Sequence, residues 1–273
     1  MGVFYESYDE GKMAVATGEL KTAVRSGPIL EQLRAIEKMF IQKNQGKMTR
    51  VAAAELMQLH ERMAKLQFPD VKYMDYLKKH HVDRDISTYL EVGVRWGDAL
   101  ALANEGCYAV GVDPQFDIKH TLKVEPHLFG VLSDDFFFEH TETYSNFFEM
   151  IFLDGLHEAH QTMKDIYHSF AVLKEGGEIL AHDMLPVALS VATPTQQTRF
   201  WTGNVWQSAA AFCVPGRPYK WEFVPAFPSG LFRLYDIDPD YRPSAKDTVA
   251  RLQAIQKLKF GNTSELLDYI HSL

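Results

Sequence analysis

Cysteine is scarce in this 273-residue chain, which carries only Cys107 and Cys213. Two thiols allow one bridge and exclude a disulfide framework. No apolar run is long enough to span a bilayer. The opening MGVFYESYDEGK lacks the basic stretch and apolar core of a secretory signal. Glu6 stands where a myristoylation signal needs Ser or Thr, so Gly2 does not fit one. Positive charge is not in surplus either. The formal net charge is -8, which argues against a whole-surface pull on nucleic acid. Internal repeats and low-complexity tracts are absent. These absences leave a cytoplasmic location, no membrane or nucleic-acid partner, and a small-molecule or saccharide ligand as the expectation. The oligomeric state stays open, with a homodimer compatible.

Hydrophobic residues make up 46% of the chain and charged residues 23%. This suffices for one α/β domain and a modest accessory element. Residues 1–84 read as helical and without strand signals. Ile29–Gln42 and Val51–Leu66 have apolar residues at helical spacing (Leu56, Leu59, Met63 and Leu66), Pro69 interrupts, and Tyr73–His81 forms a further short helix. A packing layer, dimer surface or lid is expected of this zone.

Residues 85–240 read as a ligand-binding domain in which strands and helices alternate. Strands are expected at Ser87–Val92, Tyr108–Val112, Leu128–Leu132, Met150–Leu153 and Glu178–Ala181, the last after the Gly176-Gly177 turn. Helices are expected at Trp96–Asn104, Ala159–Leu173 and Thr202–Phe212. Trp221–Pro225 and Leu231–Tyr235 read as a hairpin closing the sheet. The result is an α/β fold with a doubly wound, mostly parallel seven-stranded sheet of Rossmann-like type. Residues 241–273 read as C-terminal helices, from Ser244 onward, packed on that domain.

Open parallel sheets bind ligands beyond the carboxyl ends of their strands. At the first such end stands Tyr89-Leu90-Glu91-Val92-Gly93-Val94-Arg95-Trp96-Gly97. Gly93 and Gly97 let the backbone turn and approach a ligand. Taken alone, this E-x-G-x-x-x-G spacing is a weak signal. Asp113, ending the second strand in Val110-Gly111-Val112-Asp113, suits both ribose hydroxyls of a nucleoside. Asp134, after the third strand in Leu132-Ser133-Asp134, suits an adenine amino group. Dinucleotide folds need G-x-G-x-x-G to meet a pyrophosphate, and Arg95 occupies the middle glycine's place. Glu91 suits a methionine ammonium, directly or through water. The nucleoside expected here is therefore S-adenosylmethionine, held by Glu91, Gly93, Arg95, Gly97, Asp113, Ser133, Asp134 and Asp154.

The stretch YLEVGVRWGDALA…GVDP…LSDDFF…MIFLDGLHEAHQTMKDI…LKEGGEILAHDMLP resembles the class I S-adenosylmethionine-dependent methyltransferases grouped as methyltransferase family 24. More distantly it is similar to the metal-dependent sugar O-methyltransferases of macrolide biosynthesis and to a cephamycin-pathway enzyme. The resemblance covers roughly residues 85–186. Trp201-Thr202-Gly203-Asn204-Val205-Trp206 echoes the W-x-G-D-V-W of that group, with Asn204 in place of Asp. The resemblance implies O-methylation of a hydroxyl, and the antiparallel last strand typical of methyltransferase sheets.

Asp154 and Asp183 end the fourth and fifth strands, and His157 follows Asp154 by three residues. Two carboxylates at neighbouring strand ends in a cleft are costly unless a cation joins them. Magnesium suits oxygen ligands, with manganese the other candidate. In the relatives, an Asp matching Asp154 and an acidic pair matching His182 and Asp183 hold the ion, while a histidine matching His157 is the general base. His182 departs from that pattern, and an imidazole shifts preference toward manganese, iron, nickel or zinc. Read without metal, Asp154 orients substrate or caps a helix. His160 reads as a supporting residue. Phe200, Trp201, Trp206, Trp221, Phe227 and Phe232 read mostly as core, with some lining an acceptor pocket. Two alternatives stay open: metal-free N-methylation of an amino sugar or peptide, and a cofactor-binding scaffold without catalysis.

Overall fold

The computed structural model describes residues 27–45 and 48–273. The part of the expected helical zone before residue 27 lies outside the described residues. Among the described residues, three helices come first: α1 (Pro28–Lys43), α2 (Arg50–Gln67) and α3 (Tyr73–Asp83). Pro28 starts α1, where its missing N–H costs nothing. Thr49 caps α2 by accepting from the Ala52 amide at 3.1 Å.

The domain proper then runs β1 (Thr88–Val92), a short 3-10 turn (Leu100–Leu102), β2 (Tyr108–Val112), β3 (His127–Phe129), α4 (Ser133–His140), β4 (Phe148–Leu153), α5 (Ala159–Val172), β5 (Leu173–His182), α6 (Trp206–Phe212), β6 (Lys220–Val224) and β7 (Leu231–Tyr235). Two helices follow, α7 (Ala245–Ile255) and α8 (Thr263–Ser272). Asn262 and Glu265 bracket the start of α8, Asn262 accepting from the Glu265 amide at 2.9 Å and Glu265 from the Gly261 amide at 2.7 Å.

The seven strands form one sheet in the order β3-β2-β1-β4-β5-β7-β6. The first five are parallel, and β7 runs antiparallel to both β5 and β6. This is the expected fold class. The central strands are buried on both faces, which explains their nearly unbroken apolar sequences. Leu90, Val92, Ile151 and Ile179 face a large core shared with α1, α2, α5, α6 and the C-terminal helices. Tyr89, Met150, Phe152 and Leu180 face a smaller core covered by α3 and the 3-10 turn. Among the described residues, no helix is long and apolar enough to cross a membrane. Cys107 and Cys213 are both free thiols.

Four expected elements differ. The helix expected over Trp96–Asn104 shrinks to Leu100–Leu102, because Arg95 and Gly97 have φ of 43° and 80° and a right-handed helix cannot run through them. At its far end the Asn104 amide is drawn to the carbonyls of His81 and Ile86, at 2.5 and 3.2 Å. The third strand is shorter than Leu128–Leu132, since Leu132 already sits extended at the start of an unanticipated helix, α4. The fifth strand is longer than Glu178–Ala181: α5 feeds straight into it and Gly176, at φ 72°, bends it without ending it. The helix expected from Thr202 begins only at Trp206, because Gly203 has φ 67° and its segment wraps around His157.

Candidate active site

In this strand order, chain connections diverge between β1 and β4, so the crevice lies beyond their carboxyl ends. Gly93 and Asp154 meet there. The Asp154 amide donates to the Val92 carbonyl at 2.8 Å, and a Cβ on Gly93 would stand 2.2 Å from the Asp154 carbonyl oxygen. Glycine is required at 93 by this backbone crossing, beyond any need of a ligand.

Arg95 and Asp113 also come together. The Asp113 carboxylate accepts from the Arg95 amide at 2.8 Å and from the Gln115 amide at 2.7 Å, tying the turn after β1 to the turn after β2. The Arg95 guanidinium lies over Trp96, 4.1 Å from the ring centre. Glu91 is enclosed beneath this turn and accepts from the Tyr89 hydroxyl at 2.9 Å. Burial pushes its carboxyl well above the ordinary range, against the opposing effect of that hydrogen bond.

Ser133 and Asp134 form a separate group with α5. Gln161 donates to Ser133 at 3.1 Å and to Asp134 at 2.8 Å, while Lys164 reaches Asp134 at 2.5 Å. Burial works against ionisation of Asp134, but Gln161 and Lys164 outweigh it and hold its pKa below the usual value. The neighbouring Asp165 is lifted to about 6, chiefly by burial.

A further group gathers Asp154, His157, His182 and Asp183. His182 Nδ1 lies 3.3 Å from Asp154 and 3.8 Å from Asp183. His157 Nδ1 lies 3.3 Å from Asp183, and its Nε2 3.9 Å from Asp154. One ligand atom each from Asp154, His182 and Asp183 falls within 4.8 Å of the others, a spacing that a single metal ion can span. Asp183 adopts φ 65°, strained for a non-glycine residue. Burial disfavours the charged form of His182, yet Asp183 and Asp154 outweigh it and raise its pKa to about 9. Burial likewise opposes ionisation of Asp154, but His182 and then His157 keep its pKa below the usual range.

His157 is held from the other side as well. Its Nδ1 is 3.0 Å from the Trp201 carbonyl, and its ring stacks on Trp201 at 5.3 Å. A carbonyl only accepts, so Nδ1 carries a proton. Gly203 packs on the same residue, where a Cβ would stand 1.9 Å from the His157 carbonyl oxygen. Asn204 caps α5, accepting from the Ala159 amide at 2.9 Å. Trp201 is thus the member of the aromatic set that faces the site. Trp206 and Phe232 are fully in the main core, and Phe200, Trp221 and Phe227 pack half-buried against it. His160 is exposed.

Two residues at this site escaped the sequence reading. Tyr73, the first residue of α3, stacks on His182 at 4.1 Å. Ser229, fully buried between β6 and β7, donates to Asp183 and lies 3.4 Å from His182 Nε2. Neither belongs to a motif. Tyr73 opens a helix whose pattern speaks only of packing, and Ser229 sits in a Pro-Ser-Gly turn like many others.

No protein-family model and no curated protein matches the chain. Solved structures with a similar layout include a Klebsiella pneumoniae protein described as an O-methyltransferase (TM-score 0.46, 12% identity, 77% of this chain and 100% of that one). An O-methyltransferase from Bacillus cereus in complex with S-adenosylhomocysteine has a TM-score of 0.43 at 13% identity, over 76% of this chain and 99% of that one. An S-adenosylhomocysteine-bound methyltransferase of Podospora anserina has a TM-score of 0.43 at 12% identity, over 87% of this chain and 100% of that one.

Proposed function

We propose that the protein is an S-adenosylmethionine-dependent O-methyltransferase acting on a hydroxyl of a small molecule or saccharide, with His157 as general base. The observation that carries this reading is the convergence of Asp154, His157, His182 and Asp183 beside the Gly93 turn, at the ligand-binding end of the sheet. On this reading the Gly93–Gly97 turn, Asp113, Ser133 and Asp134 receive the nucleoside, and Glu91 supports the methionine end from beneath.

His157 is built for proton removal. Its Nδ1–H is engaged by Trp201 and Asp183, which orients the ring. Nε2 takes the acceptor's hydroxyl proton as the oxygen attacks the methyl carbon. The carbon–sulfur bond breaks with its electron pair going to sulfur, and neutral S-adenosylhomocysteine leaves. Little further chemistry is asked of the protein beyond positioning.

The donor set Asp154, His182 and Asp183 fits a divalent cation, since a buried imidazole nitrogen without a hydrogen bond faces two carboxylates. Such an ion would supply positive charge that lowers the pKa of an acceptor hydroxyl nearby. Calorimetry tests the cofactor: S-adenosylhomocysteine should bind and stabilise the fold by mass action. NADH binding without S-adenosylhomocysteine binding would overturn the reading. A methyl-transfer screen over saccharides, phenols and amines, with and without chelator, tests the acceptor class.

A further inference from the structure

His182 stands where the resemblance implies an acidic residue, and the structure surrounds it in a particular way. Tyr73 stacks on one face of its ring at 4.1 Å. Its edge toward the strand hairpin meets Ser229, whose oxygen is 3.4 Å from Nε2. Ser229 is itself wholly buried, and its single hydroxyl hydrogen is given to Asp183. Having spent that hydrogen, Ser229 can only accept from His182, so Nε2 bears the hydrogen it receives. The ring nitrogen left facing Asp154 and Asp183 is Nδ1. It is more than nine-tenths buried with its residue and makes no hydrogen bond.

Ser229 also holds Asp183. Its carbonyl accepts from the Leu185 amide at 2.6 Å, and the Gly230 carbonyl from the Met184 amide at 3.3 Å, across the turn that Asp183 enters at φ 65°. A Cβ on Gly230 would stand 2.7 Å from Leu185, so the two turns are in direct contact. One serine thus fixes the direction of two donors on adjacent residues. Outer partners of this kind set which nitrogen a histidine presents and in what orientation.

We propose that Ser229 is a positioning residue that commits His182 to bind a divalent cation through Nδ1, and that the resulting two-carboxylate, one-imidazole site selects a transition ion such as manganese, iron, cobalt or zinc over magnesium. This rests on the metal-site part of the preceding reading. Imidazole is a good ligand for those ions, whereas magnesium favours an all-oxygen shell.

The test uses the chelator-treated full-length protein and the ions Mn2+ and Mg2+ alone, without acceptor. Titration calorimetry of the wild type should show Mn2+ binding at least about tenfold tighter than Mg2+. Pulsed electron paramagnetic resonance of the Mn2+ form should show coupling to a directly bound imidazole nitrogen. In His182→Asp that coupling should vanish and the preference for Mn2+ should narrow. Ser229→Ala should weaken Mn2+ binding by about 10- to 100-fold while S-adenosylhomocysteine affinity holds, which also reports that the variant is folded. Mn2+ bound without nitrogen coupling overturns the proposal, as does Mg2+ binding as tightly as Mn2+. Unchanged Mn2+ affinity in Ser229→Ala removes Ser229's part in it. Absence of any ion binding, with methyl transfer intact, sinks this inference and spares the methyltransferase reading. Loss of that reading would show separately, as no binding of S-adenosylhomocysteine.

Discussion

Strand β5 carries two histidine–carboxylate clusters, and the two are opposites. On the face covered by α3, Glu178 lies midway along the strand and His182 at its end. Glu178 is fully buried and meets His80 at 2.7 Å, Arg84 at 2.8 Å and Arg233 at 2.6 Å. Burial works to raise its pKa, but these cationic groups pull it down to about 2. Every charge there has a partner, and nothing is left to offer a ligand. At the carboxyl end of the strand Tyr73 of the same helix covers His182, whose Nδ1 faces two carboxylates without a hydrogen bond. One cluster closes the fold. The other is left short of positive charge at the end of the sheet where ligands arrive. Buried charge by itself therefore does not separate the two clusters; the completeness of its pairing does.

The sharpest way to break this contrast is to damage the closed cluster. Glu178→Ala leaves Arg84 and Arg233 without their buried partner and should cost about 3–5 kcal/mol of stability, read by denaturant unfolding. If the site lies only at the other end, S-adenosylhomocysteine affinity at low temperature should survive in the fraction that remains folded. Next in size is His157→Ala, which should slow the chemical step by about a hundredfold or more with little change in melting temperature. Single-turnover methyl transfer reads it, and an unchanged rate would remove His157 from catalysis.

Asp113→Ala should weaken S-adenosylhomocysteine binding by about tenfold or more, since a bidentate acceptor for ribose is worth at least a hydrogen bond or two. Asp113→Asn should lose less, because its side-chain oxygen can still receive the Arg95 amide. Calorimetry separates the two. The smallest effect is a pH dependence. Glu178 titrates near 4.5 when unfolded and near 2 when folded. A depressed carboxylate stabilises the fold fully above the higher value and loses that contribution as pH falls through the lower one. Wild type should therefore lose melting temperature between those limits more steeply than Glu178→Gln, and parallel curves would contradict the pairing described.

The sheet was legible because burial on both faces writes itself as short apolar runs, as in Ala109–Val112 and Ile179–Ala181. The strand-end residues were legible for the same reason: Asp113, Asp154 and Asp183 are polar residues that interrupt such runs where a parallel sheet delivers its chain to a ligand. Asp154, His157, His182 and Asp183 accordingly come together as expected. Local backbone conformation was hidden. Nothing about Arg95 announces a left-handed φ, so the helix expected after it was drawn too long. Also hidden were partners supplied from afar. Tyr73 lies more than a hundred residues before His182 and Ser229 more than forty after it, and packing alone joins them. Asp134 shows the converse: its position was visible, but its engagement by Gln161 and Lys164 depended on α5 lying alongside α4.

The crossing of Gly93 with Asp154 has a consequence for how this protein could change during evolution. With less than one methyl group of clearance between the turn after β1 and the end of β4, the places where the proposed reading seats the methyl donor and the acceptor oxygen share one backbone junction. A shift in either would be transmitted to the other, so on that reading the distance between donor and acceptor is set by the frame and is closed to gradual adjustment. Diversification toward new acceptors is then channelled to parts outside that frame, namely the tyrosine contributed by α3 and the tryptophan that leans on His157. A lineage descending from this chain would be expected to vary Tyr73 and Trp201 while leaving Gly93 untouched.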